Sequence, residues 1–123
     1  MFFFDTYAIL ATIDGDPAYK KYEEEKMFTS KLNVGELYHV LLKRYNKATA
    51  EYWIKKLDFE LIDFSTEEVI AAMLFKHAHS RRNFSVFDVV GYTIAKDRGI
   101  RFLTGDRQFE DLENVEFAKA NMP

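Results

Sequence analysis

Short apolar runs alternate along the chain with longer stretches in which apolar residues recur at helical spacing. The first run, residues 1–4, is continuously apolar, which is typical of a strand buried on both faces of a sheet. Four later runs have the composition or the alternation of strands, and they cover residues 27–29, 59–64, 100–103 and 115–117. The pattern therefore predicts five short strands.

Helix-capping residues precede the stretches of helical periodicity. Ser65 with Glu68, and Ser85 with Asp88, have the spacing of a capping box. Gly99 is placed to end the helix that Ser85 begins. The predicted helices cover residues 6–13, 17–25, 32–45, 48–57, 66–78 and 86–98, with a single turn at 108–112.

This order of strands and helices predicts an α/β fold, a three-layer α/β/α sandwich with a central, mostly parallel sheet. In such folds, ligands bind outside the carboxyl ends of the strands. The chain has 123 residues, two prolines, five glycines and no linker-like or repeated segment. We therefore expect a single domain over residues 1–123.

Four acidic residues fall where a predicted strand gives way to a helix, or in the first turns of a helix: Asp5, Glu36, Asp88 and Asp106. Because these places converge in a three-layer fold, we expect the four carboxylates to form one cluster. Hard divalent cations such as Mg²⁺ and Mn²⁺ prefer carboxylate and water oxygens. Such ions can activate a water for attack on phosphorus and neutralise charge on the leaving oxygen.

A purely structural role is also open for each of these acids, because helix N-termini favour acidic residues as caps and dipole partners. Two observations favour the cluster. Asp5 directly follows three Phe residues, where a carboxylate without a partner is costly. The helices that carry Asp88 and Glu36 have Ser85 and Ser30 as caps, so we expect neither acid to be needed there.

Composition limits the chemistry further. The chain has no cysteine, which excludes disulfides, thiolate metal sites and Cys nucleophiles and favours an intracellular, cytoplasmic protein. The apolar opening has no basic flank and is too short to span a membrane, so no membrane association is expected. A net charge of −3 argues against a large basic surface for nucleic acid. Local phosphate contacts remain open to Lys43, Arg44, Arg81, Arg82, Arg98, Arg101 and Arg107.

Other motifs carry little chemistry. His77 and His79 are two residues apart on a predicted helix, so their side chains point to different sides, and no metal role is predicted for them or for His39. The chain has no glycine-rich phosphate loop. Ser65 and Ser85 are better explained as helix caps than as nucleophiles.

Three blocks carry a family resemblance: FFFDTYAIL, NVGELYHVLLKR and SVFDVVGYTIAKDRGIRFLTGDRQFEDLENVEF. They resemble the conserved blocks of PIN-domain proteins, especially the short VapC-type toxins of bacteria and archaea. The third block is the most specific, because its helix with Asp, its Gly, its apolar strand and its Leu-Thr-x-Asp recur in that order across the family. The middle of the chain, residues 49–83, carries little family signal.

The resemblance implies an endoribonuclease that hydrolyses RNA phosphodiester bonds with Mg²⁺ or Mn²⁺, acting as the toxin of a type II toxin–antitoxin pair. The implied catalytic and metal-binding residues are Asp5, Glu36, Asp88 and Asp106. Glu110 or Asp111 is an alternative to Asp106, and Thr6 and Thr104 could support the cluster.

The resemblance also implies a homodimer that a small antitoxin protein inhibits near the acidic groove. Aromatic residues that could serve either interface, or pack in the core, are Tyr38, Tyr45, Tyr52 and Trp53.

Two alternatives stay open at this point. One is a catalytically silent relative that keeps the fold as an RNA- or protein-binding module. The other is a phosphotransfer enzyme or phosphatase with Asp5 as its nucleophile, although the chain lacks the second aspartate that such enzymes usually place two residues later.

Overall fold

The fold, taken from a computed structural model that describes residues 1–121, is a five-stranded sheet with helices on both faces. The strands are β1 (Phe2–Phe4), β2 (Met27–Thr29), β3 (Phe59–Leu61), β4 (Arg101–Thr104) and β5 (Val115–Phe117). Their order is β3-β2-β1-β4-β5, and all four pairings are parallel. The predicted α/β/α architecture is confirmed.

Five α-helices connect these strands: α1 (Thr6–Ile13), α2 (Lys31–Arg44), α3 (Lys47–Lys56), α4 (Thr66–Ala78) and α5 (Val86–Asp97). Two 3₁₀ helices cover Pro17–Tyr22 and Arg107–Phe109. Both predicted capping boxes are present, at the starts of α4 and α5. Gly99 follows α5 with a φ of +69°, a conformation that glycine adopts without steric cost.

Two predicted elements differ from the structure. The helix predicted over residues 17–25 is a 3₁₀ helix that ends at Tyr22. Tyr19 and Tyr22 are both buried in it, and a 3₁₀ helix aligns residues three apart on one face. The strand predicted over residues 59–64 ends at Leu61. It is short because the chain leaves the sheet to form the Ser65 capping box, in which the Ser65 backbone N–H donates to Glu68 at 2.9 Å.

The core lies on both sides of the sheet, since successive residues of a strand point to opposite faces. Phe3 and Phe102 pack with α4 and α5, whereas Phe4 and Leu103 pack with α1, α2 and α3. The continuous apolar run at the start of the chain is thus explained by burial on both faces. Within residues 1–121, no helix is long and apolar enough to cross a membrane.

Candidate active site

The acidic residues lie where the sheet changes its winding direction. From β1 the chain winds outwards through β2 to β3, then returns to the other side of β1 with β4 and β5. The carboxyl ends of β1 and β4 are therefore neighbours at a topological switch point, the usual ligand position in open parallel sheets. Asp5 follows β1 directly, and Asp106 lies two residues after β4.

The structure brings all four predicted acids to one cavity of about 480 Å³, which we call the acidic cavity. Asp5, Glu36, Asp88 and Asp106 line it, together with Thr6, Tyr7, Leu10, Val40, Gly105, Arg107 and Lys119. These residues come from the loops after β1 and β4, from α1, α2 and α5, and from the segment after β5. Sequence positions far apart thus meet at the carboxyl edge of the sheet.

Asp5 is the most buried of the four acids, with 3% of its surface exposed. It caps α1, because its Oδ1 accepts the Ala8 backbone N–H at 2.8 Å. The pKa of Asp5 is raised to about 8, and burial is the largest cause; hydrogen bonds from Thr104 and Ala8 lower the pKa, and the nearby carboxylates of Asp88 and Asp106 raise it. The charges that act most strongly on the Asp5 carboxyl are thus those of other carboxylates.

A buried chain of hydrogen bonds orients Glu36, in the second turn of α2. The Thr6 hydroxyl donates to Glu36 Oε1, and Asn33 Nδ2 donates to Thr6 Oγ1 at 3.4 Å. The Ser30 hydroxyl in turn donates to Asn33 Oδ1 at 2.7 Å. Ser30 and Asn33 are at most 1% exposed, so water competes little for these bonds. Sequence reasoning missed Asn33, whose signal was a polar residue among the apolar positions that begin α2.

Asp88 has both a structural role and a place in the cavity. Its Oδ2 accepts the Ser85 backbone N–H at 3.0 Å, and its own N–H donates to Ser85 Oγ at 3.0 Å. Ser85 is the N-cap of α5, as predicted, and Asp88 completes the predicted capping box. Burial raises the pKa of Asp88, and the charges of Asp106 and Glu36 raise it further.

Asp106 is placed by a close approach of the backbone at Gly105. A Cβ atom on Gly105 would lie 2.1 Å from Tyr7 Cε1 and 2.6 Å from the Ala118 carbonyl oxygen, so no side chain fits there. The Asp106 N–H donates to Thr104 Oγ1 at 3.1 Å, and Asp106 Oδ1 accepts the Gln108 N–H at 3.0 Å. This turn directs Asp106 to the cavity at the end of β4.

The two alternatives to Asp106 lie elsewhere. Asp111 accepts two hydrogen bonds from the Arg82 guanidinium, at 2.7 and 2.8 Å, which lower the pKa of its carboxyl. Glu110 pairs with Arg107 at 3.4 Å. Since neither acid lines the acidic cavity, Asp106 is the better fourth member of the cluster.

The donor set fits a hard divalent cation, although the cavity is not a ready-made cage. No three His, Asp or Glu side chains within residues 1–121 are arranged so that they could hold a metal ion as they stand. Asp5, Asp88 and Asp106 each accept a backbone N–H, and Glu36 accepts the Thr6 hydroxyl. Nevertheless, the four carboxylates around this cavity provide oxygen ligands of the kind that such a cation prefers. Two of them, Asp5 and Asp88, have raised pKa values, in part because neighbouring carboxylates repel their negative charge, and a bound cation would offset that repulsion.

Most of the cations considered from sequence pair with acids of the chain. The pairs are Arg44 with Asp14, Arg82 with Asp111, Arg98 with Glu68, Arg101 with Glu116 and Arg107 with Glu110. Arg107 still lines the acidic cavity, and so does Lys119, which sequence reasoning did not consider.

The other sequence candidates lie away from the acidic cavity. His39 and His77 are exposed, and the His79 ring stacks on Phe75 with 4.1 Å between the ring centroids. Of the four aromatic residues considered for interfaces, Tyr45 and Tyr52 are about half exposed, at 52% and 54%. Tyr38 and Trp53 pack against the core beneath α2 and α3.

Fold and cavity together define a parallel α/β domain with an acidic cavity at its topological switch point. The PIN domain family model matches residues 2–115, and the chain belongs to that family. The resemblance noted in the three sequence blocks is thereby confirmed.

Three solved structures share this fold. The Mycobacterium tuberculosis toxin VapC20, described as cleaving the sarcin–ricin loop, is 21% identical with a TM-score of 0.77 over 96% of this chain and 99% of its own. A toxin–antitoxin complex from Klebsiella pneumoniae is 14% identical, with a TM-score of 0.72 over 94% and 96%. VapBC2 from Rickettsia felis, bound to a promoter DNA fragment, is 14% identical, with a TM-score of 0.74 over 98% of both chains. A comparison with curated proteins gave no match.

Proposed function

We propose that this chain is a divalent-metal-dependent endoribonuclease and the toxin of a type II toxin–antitoxin pair. The observation that carries the proposal is the convergence of four carboxylates on one cavity at the switch point of a PIN fold. The Mycobacterium tuberculosis structure of the same fold is an RNA-cleaving toxin, which supports RNA as the substrate. The other two structures are toxin–antitoxin assemblies, which supports a small antitoxin protein as the partner.

Asp5, Glu36, Asp88 and Asp106 would hold Mg²⁺ or Mn²⁺, with water completing the coordination. When bound, the ion would lower the pKa of a water and stabilise charge on the leaving oxygen of the phosphodiester. A cation in the cavity would also favour the charged form of Asp5, whose carboxyl is otherwise held largely neutral by burial.

The chain's own residues supply the orientation. Thr6 holds one oxygen of Glu36, so the carboxylate keeps a fixed direction when substrate enters. The close packing of Tyr7 on Gly105 fixes the turn that carries Asp106. Hydrolysis adds a water oxygen to phosphorus and breaks a bridging P–O bond, and fixed carboxylates favour it because they need little reorganisation during the reaction.

We further propose a cytoplasmic homodimer. Helix α4 exposes two apolar side chains, Ile70 at 56% and Leu74 at 66%, and a second copy of the chain would cover them. The exposed Tyr45 and Tyr52 lie at the end of α2 and on α3, and they are available to a protein partner in the same way.

The experiment is cleavage of labelled total RNA by the purified chain, with Mg²⁺, with Mn²⁺ and with chelator. Asp5→Asn and Asp88→Asn are tested beside Asp58→Asn, whose carboxylate is exposed and outside the cavity. We expect metal-dependent cutting that both cavity variants lose by at least about a hundredfold and that Asp58→Asn keeps.

Intact RNA in every sample, with the variants folded, would favour the catalytically silent binding module. That rival has its own support, because Asp5 and Asp106 are N-caps and Asp88 completes a capping box, roles that would keep these acids for stability alone. RNA binding that survives Asp5→Asn without any cutting would point to that module.

A further inference from the structure

A second cavity, of about 470 Å³, adjoins the acidic cavity, and we call it the side cavity. Tyr7, Leu10 and Lys119 line both, so the two spaces meet along these three side chains. The remaining lining of the side cavity is Ala11, Asp14, Arg44, Ala120 and Asn121. Its walls thus combine apolar carbon, an amide and the ion pair of Arg44 with Asp14 at 3.4 Å, whereas the acidic cavity has four carboxylates and two cations.

Lys119 stands at the boundary of the two cavities. It is exposed, and it forms no ion pair with an acid in residues 1–121. Its Nζ lies 5.7 Å from the centroid of the Tyr7 ring. The arginines nearest to this role, Arg44 and Arg107, each have a carboxylate at 3.4 Å. Lys119 is therefore the lining cation whose charge is most available to an anion.

The segment that carries Lys119 is held in place on both sides. The Ala118 N–H donates to the Thr104 carbonyl at 2.9 Å, and the Ala120 N–H donates to the Tyr7 hydroxyl at 2.9 Å. The Asn121 N–H then donates to Asp16 Oδ1 at 3.0 Å. These bonds fix the backbone around Lys119 beside the acidic cavity. When RNA binds, the segment therefore loses little conformational entropy apart from that of the Lys119 side chain.

Electrostatics explains why such a cation is needed. A polynucleotide brings one negative charge per phosphate, and four carboxylates repel every phosphate that a bound metal does not neutralise. A strand that crosses the acidic cavity therefore needs a cation for its next phosphate. Lys119 meets that need at the boundary, and the mixed walls of the side cavity suit the base and ribose of an unpaired nucleotide.

We infer that Lys119 binds the phosphate next to the one held at the acidic cavity, and that the side cavity receives the adjoining nucleotide of a single-stranded RNA. The inference rests on the proposed nuclease function, since it extends the path of the same substrate. Lys119 acts here in substrate binding.

The test is fluorescence anisotropy of a labelled single-stranded oligoribonucleotide with the full chain. Ca²⁺ replaces Mg²⁺ as the cation that binds the carboxylate oxygens, and a gel run afterwards checks that the RNA is intact. The variants are Lys119→Gln, Lys119→Arg and Lys55→Gln, whose lysine is exposed on α3 away from both cavities.

We expect Lys119→Gln to weaken binding by roughly fivefold and to lower the slope of log K against log salt by about 0.7, the value for one phosphate contact on a single strand. Lys119→Arg should restore most of the affinity, and Lys55→Gln should match the wild type. Equal affinity of Lys119→Gln and wild type, an equal loss in Lys55→Gln, or no binding by the wild type would each overturn the inference.

The cleavage assay separates this result from the fate of the proposed function. A wild type that cuts RNA while Lys119→Gln binds normally would overturn only the Lys119 inference. A wild type that binds RNA through Lys119 and cuts none of it would overturn only the proposed enzyme activity. The acidic cavity and the side cavity would then remain as an RNA-binding site.

Discussion

A single buried carboxyl, that of Asp5, shows how this chain combines stability and function. The side chain caps α1 and so contributes to the fold, yet burial raises its pKa to about 8, which means that the folded protein disfavours its charged form. Without a cation, ionisation of Asp5 at neutral pH therefore costs stability.

The first prediction concerns Asp5→Asn in metal-free buffer. The pKa of Asp5 in the folded protein lies above the ordinary aspartate value of 3.8, so the contribution of Asp5 to stability is fully present below about pH 4 and is lost as the pH rises towards 8. Asparagine cannot ionise and can still accept the Ala8 N–H. We expect the variant to be more stable than wild type by on the order of 2 kcal/mol at pH 7 and nearly equal to it at pH 4.

Urea unfolding at pH 4, 7 and 8 with chelator measures this difference in the free energy of unfolding. A variant that is less stable at every pH would contradict the prediction, because the lost charge would then have been stabilising.

The second prediction concerns the hydroxyl that holds Glu36. Thr6→Val removes the donor to Glu36 at almost constant shape, whereas Thr6→Ser keeps it. We expect Thr6→Val to lower metal-dependent RNA cleavage by roughly tenfold, as is usual for partners that orient metal ligands, with Thr6→Ser near wild type. Cleavage rates across a Mn²⁺ titration measure the effect. Equal rates in the two variants would mean that the Glu36 direction does not depend on Thr6.

At the scale of elements, periodicity and caps were enough to locate most of the fold. Helix α1 and strands β2 and β5 have the predicted bounds, and for α1 the local signal is its N-cap, Asp5. The 3₁₀ helix at Pro17–Tyr22 depended instead on tertiary packing, which buries Tyr19 and Tyr22. Local propensity does not specify such packing.

The third prediction contrasts two glycines in different elements. Gly105 follows β4 and lies against Tyr7 and the Ala118 carbonyl, whereas Gly35 lies in α2 with no atom within 4 Å of an added Cβ. We expect Gly105→Ala to destabilise the fold by about 2 kcal/mol or more and to impair cleavage by displacing Asp106. Gly35→Ala should stabilise α2 by about 0.5–1 kcal/mol.

Thermal unfolding of both variants measures these shifts. If Gly105→Ala unfolded at the same temperature as the wild type, the close approach of Tyr7 would not constrain the turn.

For the molecule as a whole, the sequence predicted which acids meet and that Thr6 could support them, but it did not predict the parts of Asn33 and Lys119. The places of Asp5, Glu36, Asp88 and Asp106 followed from the rule that carboxyl ends of parallel strands share one edge. Asn33 and Lys119 did not follow, because their roles depend on contacts between segments about thirty and more than one hundred residues apart. No local pattern encodes the approach of residues 118–121 to α1.

The packing of residues 118–121 beside α1 gives the acidic cavity two different sides. The Asn33 and Thr6 side orients a carboxylate, and the Lys119 side offers a positive charge. Such a cavity suits a polynucleotide in which a bound divalent ion neutralises one phosphate and Lys119 neutralises the next. This arrangement is a property of the assembled chain and of no single element.

The central claim, that the acidic cavity binds the divalent cation on which cleavage depends, is tested most directly by calorimetric titration of Mn²⁺ into the metal-free protein. We expect saturable binding at pH 7 that Asp5→Asn and Asp88→Asn weaken by at least about tenfold and that Asp58→Asn leaves unchanged. Absence of binding in the folded wild type, or equal binding in all four proteins, would contradict it.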